Sequence, residues 1–333
     1  MKNKYPKVIA EVGVNHNGNI NLLNKLIDRI SKSGVDYIKF QAFKTDKLVI
    51  KKSPKAEYQK KINLSQYAML KKYELKSKHY DLIFKRCKNK KIKPLFSVFD
   101  IESLHLLKKY NIKIVKIGSG EITNEPLLEE IGKMRLKVFL STGMSKINEI
   151  KKAIKTLNVS GTSNQNIHIL HCHSDYPSSF KDLNLNNILT LKKIFKCKIG
   201  FSDHSIGSLA SIVASSLGAS VIEKHVTLSQ NLYGPDHSSS LNVYELKNFV
   251  ESIKSVNEIL GEKKIKRSSI EEKNKMIVRK SLVANKEIKK GEIFTRFNLT
   301  CKRPGTGLSP YFLKKLIGKK SKFHFKENQL IKI

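Results

Sequence analysis

Two stretches, KIGFSDH (residues 198–204) and VIEKHVT (221–227), decide how this chain is read. Each is a short apolar run that ends in polar residues, and the histidines they deliver, His204 and His225, lie 21 positions apart. That distance is one strand-and-helix unit. The same form recurs outward from them, in VIAEVG (8–13), YIKFQAF (37–43), KPLFSVF (93–99), IVKIGSGE (114–121), KVFLSTG (137–143) and IHILHCHS (167–174). Amphipathic stretches follow most of these runs; behind the first, Leu22, Leu23, Leu26, Ile27 and Ile30 make one helical stripe that ends at a glycine. Continuous apolar strands alternating with helices require a parallel sheet covered by helices. Eight such units in about 260 residues match the count and length of a (β/α)8 TIM barrel. An open doubly wound sheet is the alternative, but no G-x-G-x-x-G follows the first strand.

The character changes after Gly261. GEKKIKRSSIEEKNKM is polar and charged, and beyond it short apolar runs alternate with Gly/Pro turns. The expected organisation is a catalytic barrel over 1–260, a linker over 261–274 and a small, mostly β domain over 275–333. A chain of 333 residues exceeds what one core usually holds, about 250–300 residues, which agrees with that division.

The formal net charge is +36, and of the 64 basic residues only seven are Arg. The lysines fall on polar helix faces, as in KKYELKSKHYDLIFKRCKNKKIK, so no nucleic-acid partner is expected; such a protein concentrates arginine and aromatic residues in a stripe. The field would still draw in small anions. No apolar run approaches the ~18 residues of a membrane span, and MKNKYPKVIAEVG has no signal-peptide core. The four cysteines lack metal-ligand spacing and fit a reducing compartment. The expected location is cytoplasmic.

In a barrel, chemistry sits at the C-terminal strand ends. Those ends carry Glu11, Asn15 and His16; Lys39 and Gln41; Ser97; Lys116, Ser119 and Glu121; Ser141 and Thr142; His171, His173, Ser174 and Tyr176; Ser202, Asp203 and His204; Glu223 and His225. Adjacent strands lie about 4.8 Å apart, so His204 and His225 can share one ion and leave it open positions, the arrangement of a catalytic metal. Lys39 and Lys116 interrupt apolar strands. A buried ammonium needs an anionic partner, either a protein carboxylate (Glu11 or Glu121) or a substrate phosphate or carboxylate. GSGE and STGM present small residues over which backbone N–H groups can approach an anion.

The motifs IAEVGVNHNG (9–18), IKFQAFKTDKL (38–48), KIGSGE (116–121), LSTGM (140–144), GFSDHS (200–205), EKHVT (223–227), YGPDHSSSL (233–241) and KRPGTG (302–307) together resemble the sialic acid synthases, collinearly over nearly the whole chain. The resemblance implies a TIM barrel joined to an antifreeze-like (SAF) β domain. It also implies condensation of phosphoenolpyruvate with an N-acylated amino sugar, N-acetylmannosamine giving N-acetylneuraminate, or its 2,4-diacetamido-trideoxy relative in a legionaminic acid synthase. By the same resemblance His204 and His225 would bind Mn²⁺ or Mg²⁺. Lys39, Lys116, Ser119, Ser141 and Ser202 would hold phosphoenolpyruvate, and Glu11 and Glu121 would serve the reacting carbons and water, with Glu121 the base for that water. Gln41, Tyr176 and Asp236 would line the sugar site, and Arg303 would reach the N-acetyl group from a neighbouring subunit of a domain-swapped homodimer. Of the two sugars, N-acetylmannosamine is the one expected from the general match. Two departures stand out, Val98–Phe99 where relatives carry a hydroxyl residue, and His173–Ser174 where they often read Thr followed by Ser or Asn. The competing classes are a basic nucleic-acid binder and a barrel metal-hydrolase. The first has no use for the histidine pair, and the second would need further protein ligands and no buried lysines. Ice binding, a role antifreeze-like folds can have, does not need a barrel rim.

Overall fold

The computed structural model describes residues 5–60, 62–262 and 264–333. The first four residues of the N-terminal stretch MKNKYPKVIAEVG lie outside it. The chain divides into two compact units, Met1–Gly261 and Glu262–Ile333.

In the first unit the strands are β1 (Lys7–Gly13), β2 (Tyr37–Ala42), β3 (Lys93–Val98), β4 (Ile114–Ile117), β5 (Lys137–Ser141), β6 (Ile167–Cys172), β7 (Lys198–Asp203) and β8 (Val221–Thr227). Each pairs in parallel with the next, and β1 closes on β8 with Glu11 opposite His225. The result is a closed eight-stranded barrel; a two-residue strand, β9 (Leu241–Asn242), adds to β8. The helices are α1 (Ile20–Ile30), then α2 (Thr45–Leu48), α3 (Gln66–Tyr73) and α4 (Ser77–Asn89) between β2 and β3. They continue with α5 (Ile101–Lys108), α6 (Glu125–Lys133), α7 (Ile147–Ser160), α8 (Asn187–Ile194), α9 (Leu209–Ser216) and α10 (Leu246–Leu260).

Strand alternation divides the core in two. Val8, Ala10, Ile38, Phe40, Val138 and Leu140 face outward into the layer between strands and helices. Ile9, Tyr37, Leu95, Phe139, Leu170 and Val221 face inward and fill the barrel itself. Caps fix where helices begin. Asn19 accepts from the N–H groups of Asn21 and Leu22, and Asp100 accepts from Ser103. No helix among the described residues is long and apolar enough to cross a membrane. The four cysteines are free.

In the second unit β10 (Ser281–Ala284) pairs antiparallel with β11 (Leu299–Lys302). Isolated bridges join Val283 to Leu330, Ile288 to Phe325 and Ile293 to Lys320 around a core that includes Leu282, Ile288, Phe294, Leu299 and Phe325. The stretch expected as a linker is partly helical: α11 (Ser269–Val278) starts at a capping box in which Ser268 and Glu271 exchange side-chain and backbone bonds. None of its residues is buried, so no apolar stripe marked it in the sequence. A short helix, α12 (Leu313–Leu316), follows β11.

Candidate active site

A cavity of about 400 Å³ opens at the C-terminal ends of the strands. Glu11, Lys39, Gln41, Lys116, Ser119, Ser141, Tyr176, Ser202, His204 and His225 all line it. The inward positions of β1, β2, β4, β5, β7 and β8 therefore converge as the alternation requires.

Its floor is a charge cluster. Glu223 Oε1 accepts from Lys116 Nζ at 2.9 Å and from Ser202 Oγ at 2.8 Å, and lies 3.4 Å from Lys39 Nζ. Lys39 Nζ lies 3.1 Å from Glu11 Oε1 and donates to Ser97 Oγ at 2.9 Å. All four charged side chains are at most 4% exposed. Burial opposes every charge, but two ammonium groups outweigh it at Glu223 and hold that carboxylate well below its ordinary range. Glu11 has the smaller share of positive charge, and burial pushes its carboxyl up. Burial likewise lowers Lys116, which Glu223 only partly offsets, whereas for Lys39 the two glutamates outweigh burial and the pKa rises. The lysines' carboxylate partners are thus Glu11 and Glu223, and Glu121 is not one of them.

Gly13 makes this packing possible. It sits at a bulge where the β1–β2 register slips, with φ +53°. A Cβ there would meet Glu11, His225 and Gln41 at 3.3–3.5 Å. Gly143 is tighter: a Cβ would come within 2.2 Å of Ser174 Oγ, and its N–H donates to Ser119 Oγ at 3.0 Å.

One wall is aromatic. The Tyr176 ring stacks on His204 with centroids 4.1 Å apart, Tyr58 packs against Tyr176 at 4.8 Å, and His225 stands 5.5 Å from His204. His204 Nδ1–H donates to the His173 carbonyl at 2.5 Å, which leaves its Nε2 lone pair to accept from the Tyr176 hydroxyl at 3.0 Å. Burial lowers His204 to about 4 and drives His225 well below the usual imidazole value, so both are neutral, the form that binds metals. Buried Nδ1 of His225, Oε2 of Glu11, Oε2 of Glu223 and Oγ of Ser141 have no hydrogen-bond partner. Among the described residues no group of three or more His, Cys, Asp or Glu is arranged as a metal site. Two neutral imidazoles facing one polar cavity, one with an unpartnered nitrogen, nonetheless suit an ion that takes its other donors from water and substrate.

Three expected residues stand apart from the cavity lining. Glu121 follows β4 on a 3-10 turn (Ser119–Glu121), where its Oε2 accepts from Asn124 at 2.7 Å and burial raises its pKa. Asp236 is buried, with Oδ2 3.7 Å from His225 Nδ1. Arg303 is exposed in the second unit, one residue past β11. Of the departures, Val98 points outward into the helix-facing core, whereas Phe99 lines the cavity. His173 uses Nδ1 to contact Ser178 Oγ and is not part of the lining. Sequence reasoning put Glu223 on the rim without seeing its central place. Its signal was an acidic residue inside an apolar strand, two positions before His225. Tyr58 comes from a 3-10 turn (Glu57–Gln59) between α2 and α3, too short to show a periodicity.

The NeuB family matches residues 26–265 and the SAF domain matches 279–333. The N,N'-diacetyllegionaminic acid synthase of Campylobacter jejuni is 45% identical over 98% of both chains. The synthase of the same name from Legionella pneumophila is 38% identical over 93% of this chain and 89% of its own. The crystal structure of N-acetylneuraminic acid synthetase from Leptospira borgpetersenii, in complex with citrate, superposes with TM-score 0.70 at 31% identity, covering 82% of this chain and 93% of that one. Taken with the barrel and its polar rim, these matches lead to one conclusion: the chain belongs to the NeuB family of sialic-acid-type synthases, its barrel followed in sequence by a SAF domain.

Proposed function

We propose that this enzyme condenses phosphoenolpyruvate with 2,4-diacetamido-2,4,6-trideoxymannose, releasing phosphate and N,N'-diacetyllegionaminic acid. The observation that carries the sugar is the end-to-end 45% identity to the Campylobacter enzyme of that name, joined by the Legionella enzyme at 38%. This moves the preference away from N-acetylmannosamine, which the motifs alone had favoured. The N-acetylneuraminate reading stays as the second, supported by the 31% identical Leptospira structure.

The chemistry follows from the residues. Lys39 and Lys116 balance the phosphate and carboxylate of phosphoenolpyruvate, with Ser119, Ser141 and Ser202 as hydroxyl partners. His204 and His225 would hold a divalent ion, Mn²⁺ or Mg²⁺, which when bound supplies a Lewis acid for the sugar aldehyde oxygen. Carbon 3 of phosphoenolpyruvate attacks the aldehyde carbon, and water adds to the cationic carbon 2 that results. A carboxylate takes one proton of that water and returns it to the alkoxide formed from the aldehyde; the hemiketal phosphate then loses its C–O bond, and its hydroxyl proton leaves with the phosphate. Two carboxylates were expected near these steps, with Glu121 as the base. Glu11 has an unpartnered oxygen and lines the cavity, whereas Glu121 is tied to Asn124, so Glu11 takes the proton in this scheme. Gln41, Tyr176 and Asp236 contact the sugar. Arg303 contacts its acetamido group from the partner subunit of a homodimer.

Phosphate release with Mn²⁺ and each sugar in parallel tests the proposal. A kcat/KM at least tenfold higher for the diacetamido sugar is expected. The reverse preference assigns N-acetylneuraminate, and no release with either sugar from folded, metal-loaded protein refutes the condensation.

A further inference from the structure

The opposite mouth of the barrel is also built from charge. Lys7, Lys93, Lys137 and Lys198 are the first residues of β1, β3, β5 and β7. Each lies two positions before an inward residue (Ile9, Leu95, Phe139 and Gly200) and so faces the barrel axis. Four alternate strands make one layer of a TIM-barrel interior, usually bulky and apolar. Here the lowest layer is four ammonium groups. Burial, then Lys198, Lys7 and Lys93 in that order, lower the pKa of Lys137, so Lys137 feels the repulsion of the other three. Lys7 is paired with Asp36, whose other oxygen accepts from the Val8 N–H. Lys93, Lys137 and Lys198 make no ion pair with any described carboxylate.

Just inside this ring lies His168, 3% exposed, with neither ring nitrogen hydrogen-bonded. It shares the inward face of β6 with Leu170 and Cys172, sits in register with Lys198, and meets the Phe139 ring edge-on at 5.1 Å. Buried polar groups without partners are rare, and an imidazole N–H here lacks an acceptor. At the side of the mouth, sharing Tyr37 and Lys93 with it, opens a cavity of about 500 Å³ without an acidic residue. Phe84 and Tyr110 line it, stacked 4.0 Å apart, together with Lys85, Lys88 and Lys113. Its volume falls in the range of small-molecule sites.

We infer that the N-terminal mouth of the barrel binds a nucleoside phosphate. The phosphates sit among Lys93, Lys137 and Lys198 with an oxygen accepting from His168, and the base lies in the aromatic cavity. Repulsion among the lysines is relieved by the anion, and the orphaned imidazole gains its acceptor. Stacking on aromatic rings and the pull of nearby ammonium groups favour a planar base over a bare polyphosphate. The site lies at the far end of the barrel from the catalytic cavity and does not depend on which sugar that cavity takes.

Isothermal titration calorimetry on the full chain in metal-free buffer at 150 mM salt tests this, with the four common ribonucleoside triphosphates and with tripolyphosphate as the base-free control. At least one nucleotide should bind tenfold or more tightly than tripolyphosphate. The Lys137→Gln/Lys198→Gln variant, changed only at partly or fully exposed positions, should lose tenfold or more of that affinity and keep its turnover. Binding that survives in the double variant, or tripolyphosphate that binds as tightly as every nucleotide, would overturn the inference. Ring ¹H–¹⁵N signals of His168 report independently: they should move on nucleotide addition in the wild type, and their silence removes the imidazole from the site.

Discussion

Glu223→Gln and Glu11→Gln are the same chemical change at two equally buried positions, 2% and 1% exposed, yet they should differ several-fold in cost. Loss of the Glu223 charge leaves Lys116 buried without a carboxylate, while Lys39 keeps Glu11. Removing one member of a buried pair costs about 3–5 kcal/mol. The penalty has a ceiling, because Lys116 can shed its proton. For a free lysine at pH 7 that costs about 4.6 kcal/mol, given a pKa near 10.4, and at pH 9 only about 2 kcal/mol. The cost of Glu223→Gln should therefore lie between about 3 and 4.6 kcal/mol at pH 7 and be no more than about 2 kcal/mol at pH 9. Burial already disfavours the Glu11 charge, and when that charge is lost Lys39 retains Glu223 and Ser97. Its replacement should cost below about 1 kcal/mol. Urea denaturation followed by circular dichroism at both pH values measures the four numbers. Equal costs for the two variants, or a Glu223→Gln penalty that ignores pH, would refute the charge assignment.

Three further outcomes are expected. Burial lowers His16 and His204 to about 4 and His168 to about 3, so below their ordinary value of 6.5 the unfolded chain takes up protons that the folded chain refuses. Stability of the metal-free protein should then fall as pH drops from 6.5 toward 4, with a slope approaching about 4 kcal/mol per pH unit for three groups; a flat profile in that window would show these rings to be solvated. Glu11→Gln should lower kcat by 100-fold or more and Glu121→Gln by less than tenfold, while the opposite order would hand the proton transfer to Glu121. Arg303→Ala should raise the sugar KM far more than the phosphoenolpyruvate KM, and equal effects on both would remove its proposed contact.

Much of this site was legible because period-2 alternation in an apolar strand exposes each polar intruder. Lys39, Lys116, Ser202, His204 and His225 stand out this way, and barrel closure brings them together. What stayed hidden depends on distances across the barrel. Glu223 and Lys116 are 107 residues apart, and only closure of β8 on β1 and β7 makes one the partner of the other. Glu121, beyond the end of β4, looked equivalent to its neighbours until the 3-10 turn carried it to Asn124. The lysines at the strand starts carried no signal in the sequence, since nothing local says that four of them share one axis.

The glutamate–lysine cluster also bears on how the site fills and empties. Its ammonium groups are not held in reserve for a ligand: they are already occupied, so an incoming anion must work as in an ion exchanger, displacing a tethered carboxylate from its counter-ion. Glu11, once displaced, is a stronger base than an ordinary carboxylate because burial raises its pKa, which suits the proton transfer assigned to it. The two glutamates stand within 3.4 Å of the lysines, placed to reclaim them when an anion leaves.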